Sequence, residues 1–314
     1  MAQVPVVRVC YLYPRLLSVA GDRGNLFALL QRCAWRGIDY TVAEADVDEI
    51  PNFSETDIVL LHGGQDREMT AAARDMAAKA GPLTEAIEND TVVLAVCAGY
   101  QLLSHYYAPV SGPPIQGIGV LDAMTEGGKK RFIGHVAVEC GLSPGQRHQL
   151  AGFENHSGRT WLGKGAEPLG RVIAGAGNNG QDGTEGARYR EVYATYLHGP
   201  VLPKNPWLAD HLLARALARR YPDFGPLAPL PDHTESQAQV AALRLARHQA
   251  SGWRAAAAAI SRFALQRPAP VSASAQRPGG MARSPLGDIV DGVDASVPDQ
   301  GLQMPEAAGS AEPR

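Results

Sequence analysis

The run Thr91-Val-Val-Leu-Ala-Val-Cys97 is apolar without alternation. That is the pattern of a strand buried on both faces, as in parallel sheets. Three shorter runs also read as strands: Val6 to Tyr13, an apolar run stopped by Pro14; Asp39 to Ala43; and Asp57-Ile-Val-Leu-Leu61. Between them, Leu26, Leu29, Leu30 and Cys33 recur at helical spacing, and Gly37 ends that helix. An Ala-rich helix is expected over about Glu68 to Ala80. Past Cys97, Ala98 and Gly99 allow a sharp turn, and Tyr100 to Tyr107 is expected to continue as a helix. Strands alternating with helices predict an α/β fold with a doubly wound, largely parallel sheet.

From Ser111 to Gly186 the pattern weakens to glycine-rich loops and short strands such as Gly134 to Glu139. Glu191 to Leu197 is again strand-like and delivers His198. Asn205-Pro206 then starts a helix, with asparagine as the cap and proline at the first helical position. Leu208, Leu212, Leu213, Ala216 and Leu217 form its buried face. The expected organisation is a domain over residues 1–221, then a proline-rich connector and Ala/Arg-rich helical extension over 222–266. That extension, Glu235 to Leu265, is read as one or two helices interrupted near Ser251-Gly252. Residues 267–314 are poor in residues to bury and are expected to be disordered.

A net charge of −3, with 19% charged and 45% hydrophobic residues, gives no electrostatic reason to expect nucleic acid or anionic membrane as a partner. No signal peptide is evident, and no apolar run is long enough to span a bilayer. Cys10, Cys33, Cys97 and Cys140 are scattered, without a CxxC pair. They suggest neither a zinc site nor a disulfide framework, and fit a reducing cytoplasm.

Cys97 therefore falls at a strand-to-helix elbow, near a helix N-terminus that favours thiolate. Read by itself, it is equally a small buried hydrophobe. Two more strand ends change that balance, because sites in doubly wound sheets form at the carboxyl ends of strands. One carries Gly63-Gly64 and the other His198. An imidazole within reach of the thiol activates it, although His62, His105, His135 and His156 compete for that role on spacing alone. Acyl transfer also needs donors for an oxyanion, and the N–H groups of Gly64 and Ala98 are the candidates.

These residues carry a family likeness. Val96-Cys97-Ala98-Gly99-Tyr100-Gln101 resembles the nucleophile motif of class I glutamine amidotransferases, and His62-Gly63-Gly64-Gln65-Asp66 resembles their oxyanion loop. Thr195-Tyr-Leu-His198-Gly199 is similar to the histidine motif of their cobyric acid synthase branch. Four further stretches narrow the likeness: Gly21-Asp-Arg-Gly-Asn25, Gly64-Gln-Asp-Arg-Glu68, Gly152-Phe-Glu-Asn-His156 and Leu197 to Pro206. Together they resemble the glutaminase subunits of lipid II isoglutaminyl synthases over residues 6 to 220.

The resemblance implies that Cys97 attacks glutamine to form a glutamyl thioester, with His198 as base and then acid. It makes Arg131 the clasp for the substrate carboxylate, with Gln101 a weaker pocket candidate. Ammonia would pass to a MurT-like Mur ligase subunit in a heterodimer, which amidates the D-glutamate α-carboxylate of lipid II. No cofactor or metal is expected in this subunit. ATP and Mg are expected in the partner, since no GxxxxGK[ST] loop occurs in the sequence. Where most class I amidotransferases carry a glutamate two residues after the histidine, this chain has Pro200. The site is then a dyad, or another group orients the ring, and Asp22 is the candidate. Two alternatives are a glutaminase component of a cobalamin-pathway amidating enzyme and a non-enzymatic cysteine sensor on the same fold.

Overall fold

The computed structural model describes residues 4–19, 21–142 and 145–265, without the side chains of residues 252–265. The residues expected to form a disordered tail lie outside this range. The chain opens with β1 (Val6–Leu12), α1 (Gly24–Ala34), β2 (Asp39–Ala45) and β3 (Ile58–Leu61). It continues through α2 (Asp66–Glu88), β4 (Val92–Val96) and α3 (Ala98–Leu103). After a second sheet, described below, it returns through β11 (Ala187–Tyr189) and β12 (Val192–Thr195).

The first sheet has the strand order β11-β12-β4-β3-β1-β2, parallel except at β11. Its central strands are buried on both faces, as the unalternating runs predict. Val59, Leu61, Val93 and Ala95 pack on one side with Met69, Met76 and Leu83 of α2. Val9, Leu60, Leu94 and Val96 pack on the other with Leu26 and Leu29 of α1 and Leu208, Leu212 and Leu213 of a later helix.

The weakly patterned middle of the sequence builds a second sheet. It contains β5 (Tyr106–Ala108), β6 (Ile115–Gln116), β7 (Ala123–Cys140), β8 (His148–Leu162), β9 (Gly170–Ala174) and β10 (Thr184–Glu185). Its order is β10-β9-β7-β5-β6, with β8 paired antiparallel to β7. The expected strand from Gly134 to Glu139 is thus a fraction of an 18-residue strand. Three helices follow: α4 (Val201–Lys204), α5 (Pro206–Arg220) and α6 (His233–Leu265). Leu243 and Ala246 of α6 pack on Ala137, Ala151 and Ala174 of the second sheet.

Four local expectations change. Helix α2 runs through Gly81-Pro82 instead of stopping at Ala80. The proline loses one backbone hydrogen bond, but Leu83 and Ile87 beyond it are fully buried, each worth about 1.5–3 kcal/mol. The helix after Cys97 stops at Leu103, because the chain extends at Ser104 and pairs Tyr106 and Tyr107 with Met124 and Thr125. Helix α6 is continuous through Ser251-Gly252. Asn205 does precede Pro206, yet its side chain does not cap α5. Its Oδ1 accepts from the Ala151 N–H at 2.8 Å, and its Nδ2 donates to the Ala151 and Val201 carbonyls. Asn205 therefore ties the start of α5 to β8.

Glycine is required where α3 crosses β3. A Cβ on Gly99 would lie 2.2 Å from the Leu61 carbonyl oxygen, a backbone atom that cannot step aside. Gly99→Ala is expected to destabilise the fold by about 3 kcal/mol, at the upper end of overpacking costs. Denaturant unfolding measures this; an unchanged midpoint would show that α3 does not pack so closely.

Candidate active site

Cys97 joins β4 to α3 with φ 53° and ψ −102°. That conformation is unfavourable for a side-chain-bearing residue, costing on the order of 1–3 kcal/mol. Bonds on both sides hold it. The Cys97 N–H donates to the Thr195 carbonyl at 2.8 Å, and the Gly99 N–H donates to the His62 carbonyl at 3.1 Å. The other three cysteines are fully buried, and burial pushes each thiol up to about 12. Cys97 alone among the four is partly accessible.

Strand β12 lies beside β4 with Thr195 opposite Val96, so the chain leaves the sheet next to the elbow. Three residues past Thr195, His198 forms an isolated antiparallel bridge with Phe153 of β8. Its side chain borders the same cavity as Cys97. Its Nδ1 lies 3.0 Å from Asp22 Oδ2, so Nδ1–H donates to the carboxylate and the other ring nitrogen is left for the substrate side. Both Asp22 and His198 are buried. Burial alone would lower the imidazole pKa, but the negative charge of Cys97 and the Asp22 carboxylate outweigh it. Together they raise it from 6.5 to about 10.

Gly63 makes room for this pair: a Cβ there would lie 2.8 Å from His198 Cε1 and 3.2 Å from Asp22 Oδ2. His62 lies behind it, edge-on to Tyr11, and burial lowers its pKa to about 4, so it is a neutral packing residue.

Cys97 and His198 border a cavity of about 390 Å³. Gly64, Gln101 and Arg131 border it too. Arg131 reaches it because the β7–β8 ladder breaks register between Gly127 and Phe132, taking residues 128–131 out of the regular pairing. Gly64 belongs to the loop after β3, and Ala98 is the first residue of α3. The first amides of a helix have no partner within it, so the Ala98 N–H is free to serve an anion at the elbow. Gln101 donates to Tyr196 Oη at 3.1 Å.

Of the competing histidines, His105 pairs with Asp122, and His135 faces a separate cavity beside Gln249. His156 does border the Cys97 cavity. Spacing gave it no distinct role; the only sequence signal was its place in Gly152-Phe-Glu-Asn-His156. Among the described residues, no group of three or more His, Cys, Asp or Glu side chains is placed to hold a metal ion. A thiol, a guanidinium and a raised-pKa imidazole backed by a buried carboxylate can, around one cavity, support nucleophilic acyl transfer on a carboxylate-bearing substrate.

Similarity to known proteins agrees with this chemistry. Residues 8–206 match the CobB/CobQ-like glutamine amidotransferase domain. The lipid II isoglutaminyl synthase (glutamine-hydrolyzing) subunit GatD of Staphylococcus aureus strain N315 is 40% identical over 210 residues, 67% of this chain and 84% of that protein. The subunit of the same name from Streptococcus pneumoniae R6 is 37% identical over 216 residues, 68% of this chain and 82% of that protein. A cobyric acid synthase of Pelotomaculum thermopropionicum is 34% identical over 140 residues, 41% of this chain but only 26% of that protein. The chain belongs to the CobB/CobQ-like glutamine amidotransferase family.

Proposed function

We propose that this chain is the glutaminase subunit of a lipid II isoglutaminyl synthase in peptidoglycan biosynthesis. The observation that carries the reading is the single cavity bordered by Cys97, His198, Arg131 and Gly64. The glutamine-hydrolysing function of the two relatives that it matches over more than four-fifths of their length supports the substrate.

In this reading the Cys97 thiolate attacks the side-chain amide carbon of L-glutamine. The oxyanion is held by the Gly64 and Ala98 N–H groups, and Arg131 clasps the α-carboxylate, a planar acceptor suited to a guanidinium. His198, protonated beside the thiolate, gives its proton to the leaving nitrogen, and ammonia departs from a glutamyl thioester. Neutral His198 then takes a proton from water as it attacks, and glutamate and free Cys97 result. Asp22 holds the ring with Nδ1 protonated and stabilises the imidazolium. Ammonia passes to a MurT-like Mur ligase subunit, which holds ATP and Mg and activates the D-glutamate α-carboxylate of lipid II. The reaction belongs to the cytoplasm, and no described helix is long and apolar enough to cross a membrane.

Removing Asp22 tests the relay. A neighbouring negative charge favours the charged imidazolium, so Asp22→Asn lowers the His198 pKa. The proton donor for the leaving ammonia is then lost at lower pH. The alkaline limb of the pH–rate profile is expected to move down by about one unit or more, with a lower plateau. An unmoved limb would remove Asp22 from the site.

Reconstitution tests the pathway. With a Mur-ligase-like partner, ATP, Mg and lipid II, amide-¹⁵N glutamine is expected to label the stem-peptide amide. Cys97→Ala is expected to abolish that transfer while leaving amidation from added ammonia. Arg131→Ala is expected to raise KM for glutamine on the order of tenfold to a hundredfold, the loss of a charge-assisted contact worth about 1.5–3 kcal/mol. Transfer to a cobyrinate acceptor instead of lipid II would assign the chain to the cobalamin-pathway alternative, which the cobyric acid synthase relatives support. Full transfer by Cys97→Ala would sink both readings.

A further inference from the structure

Arg131 borders the Cys97 cavity from a segment that the sheet itself does not hold. Gly127 stands opposite Gly158 and Phe132 opposite His156, so residues 128–131 of β7 bulge out against Ser157 alone. An ordinary bulge sets two residues against one. With four against one, ladder bonds cannot fix the course of the backbone at Arg131.

One side chain from the facing strand does so. Arg159 Nη2 donates to the Lys130 carbonyl, and its Nη1 donates to the Ser157 and Gly158 carbonyls at 2.9 and 3.1 Å. Its guanidinium carbon lies 3.4 Å from the centroid of the Phe132 ring, well within cation–π range. Lys130 and Phe132, the residues on either side of Arg131, are thus gripped by one guanidinium anchored to β8. Gly128 makes room for it, since a Cβ there would lie 2.9 Å from Arg159 Cζ. The planar fork serves three carbonyls and a ring face at once, which an ammonium on a flexible stem cannot. Arg159 is not among the residues bordering the cavity, so its effect on a substrate passes through Arg131.

We infer that Arg159 is a positioning residue. It locks the 128–131 bulge in the course that brings Arg131 to the cavity, and so sets the affinity for the substrate's carboxylate without touching the substrate. In its absence the bulge has to be ordered as the substrate binds. Fixing the backbone of even one residue weakens binding roughly tenfold. This inference rests on glutamine being the substrate and on Arg131 holding its α-carboxylate.

The test is steady-state glutaminase kinetics on the full chain with its partner subunit. Alongside it runs the rate at which iodoacetamide, which carries no carboxylate, alkylates Cys97. Arg159→Ala is expected to raise KM for L-glutamine about tenfold, with kcat and the alkylation rate unchanged. Arg159→Lys, which keeps the charge but not the fork, should raise KM by a similar factor. In the double variant Arg131→Ala/Arg159→Ala, KM should equal that of Arg131→Ala, because a guanidinium that is gone needs no positioning. An unchanged KM in Arg159→Ala, a normal KM in Arg159→Lys, or KM factors that multiply in the double variant would overturn the inference while leaving the glutaminase reading standing. So would alkylation of Cys97 slowed in step with lost activity, the mark of a general disturbance of the fold. An Arg131→Ala form with unchanged KM would remove the clasp and this inference with it. Absence of glutamine hydrolysis by the wild-type chain, partner included, would overturn the whole reading.

Discussion

Two backbone hydrogen bonds hold this site together. One runs from the Cys97 N–H to the Thr195 carbonyl, and the other from the Gly99 N–H to the His62 carbonyl. The first closes the parallel ladder between β12 and β4, and the second ties the first turn of α3 to the residue after β3. The elbow is thereby pinned to the strand that delivers His198 and to the strand that delivers Gly63-Gly64. The unfavourable dihedral angles of Cys97 persist because both neighbours fix them. Gly99 is part of the same constraint, since nothing larger fits beneath the Leu61 carbonyl.

The electrostatics build on that frame. A buried imidazole would ordinarily lose its charge, and His62 and His156 do so. His198 goes the other way because it is bonded to Asp22 and lies beside Cys97. Burial strengthens those two interactions by removing the water that would screen them. The carboxylate comes from the loop after β1, and the position two residues after the histidine holds Pro200, which has no acid to offer. The orienting group is thus supplied from across the sheet, 176 residues earlier in the chain.

Much of this was legible in sequence because the central strands of the first sheet are buried on both faces. Such strands read as unbroken apolar runs, so Val92–Val96 and Ile58–Leu61 stood out, and with them the turns at their carboxyl ends. The second sheet did not stand out. Strands β7 and β8 mix glycine, charged and apolar positions along long stretches, with half-exposed residues and a register break at Arg131, so no period dominates. The Ala-rich helix was expected only to about Ala80, but tertiary burial of Leu83 and Ile87 carries α2 onward. Tyr100 to Tyr107 read as helical until cross-strand pairing of the two tyrosines claimed its end. His156 was only one of several histidines in sequence. What distinguishes it is its place at the edge of the cavity, stacked on Tyr196 and meeting Phe132.

The central claim is that the strained elbow makes Cys97, alone of four thiols, a nucleophile toward glutamine. Mass mapping after exposure to a glutamine-mimicking electrophile, 6-diazo-5-oxo-L-norleucine, tests it most directly. The account predicts one adduct, on Cys97, slowed by L-glutamine and slowed further in His198→Ala. Adducts on Cys10, Cys33 or Cys140 at a comparable rate, or labelling of Cys97 that glutamine does not slow, would contradict it.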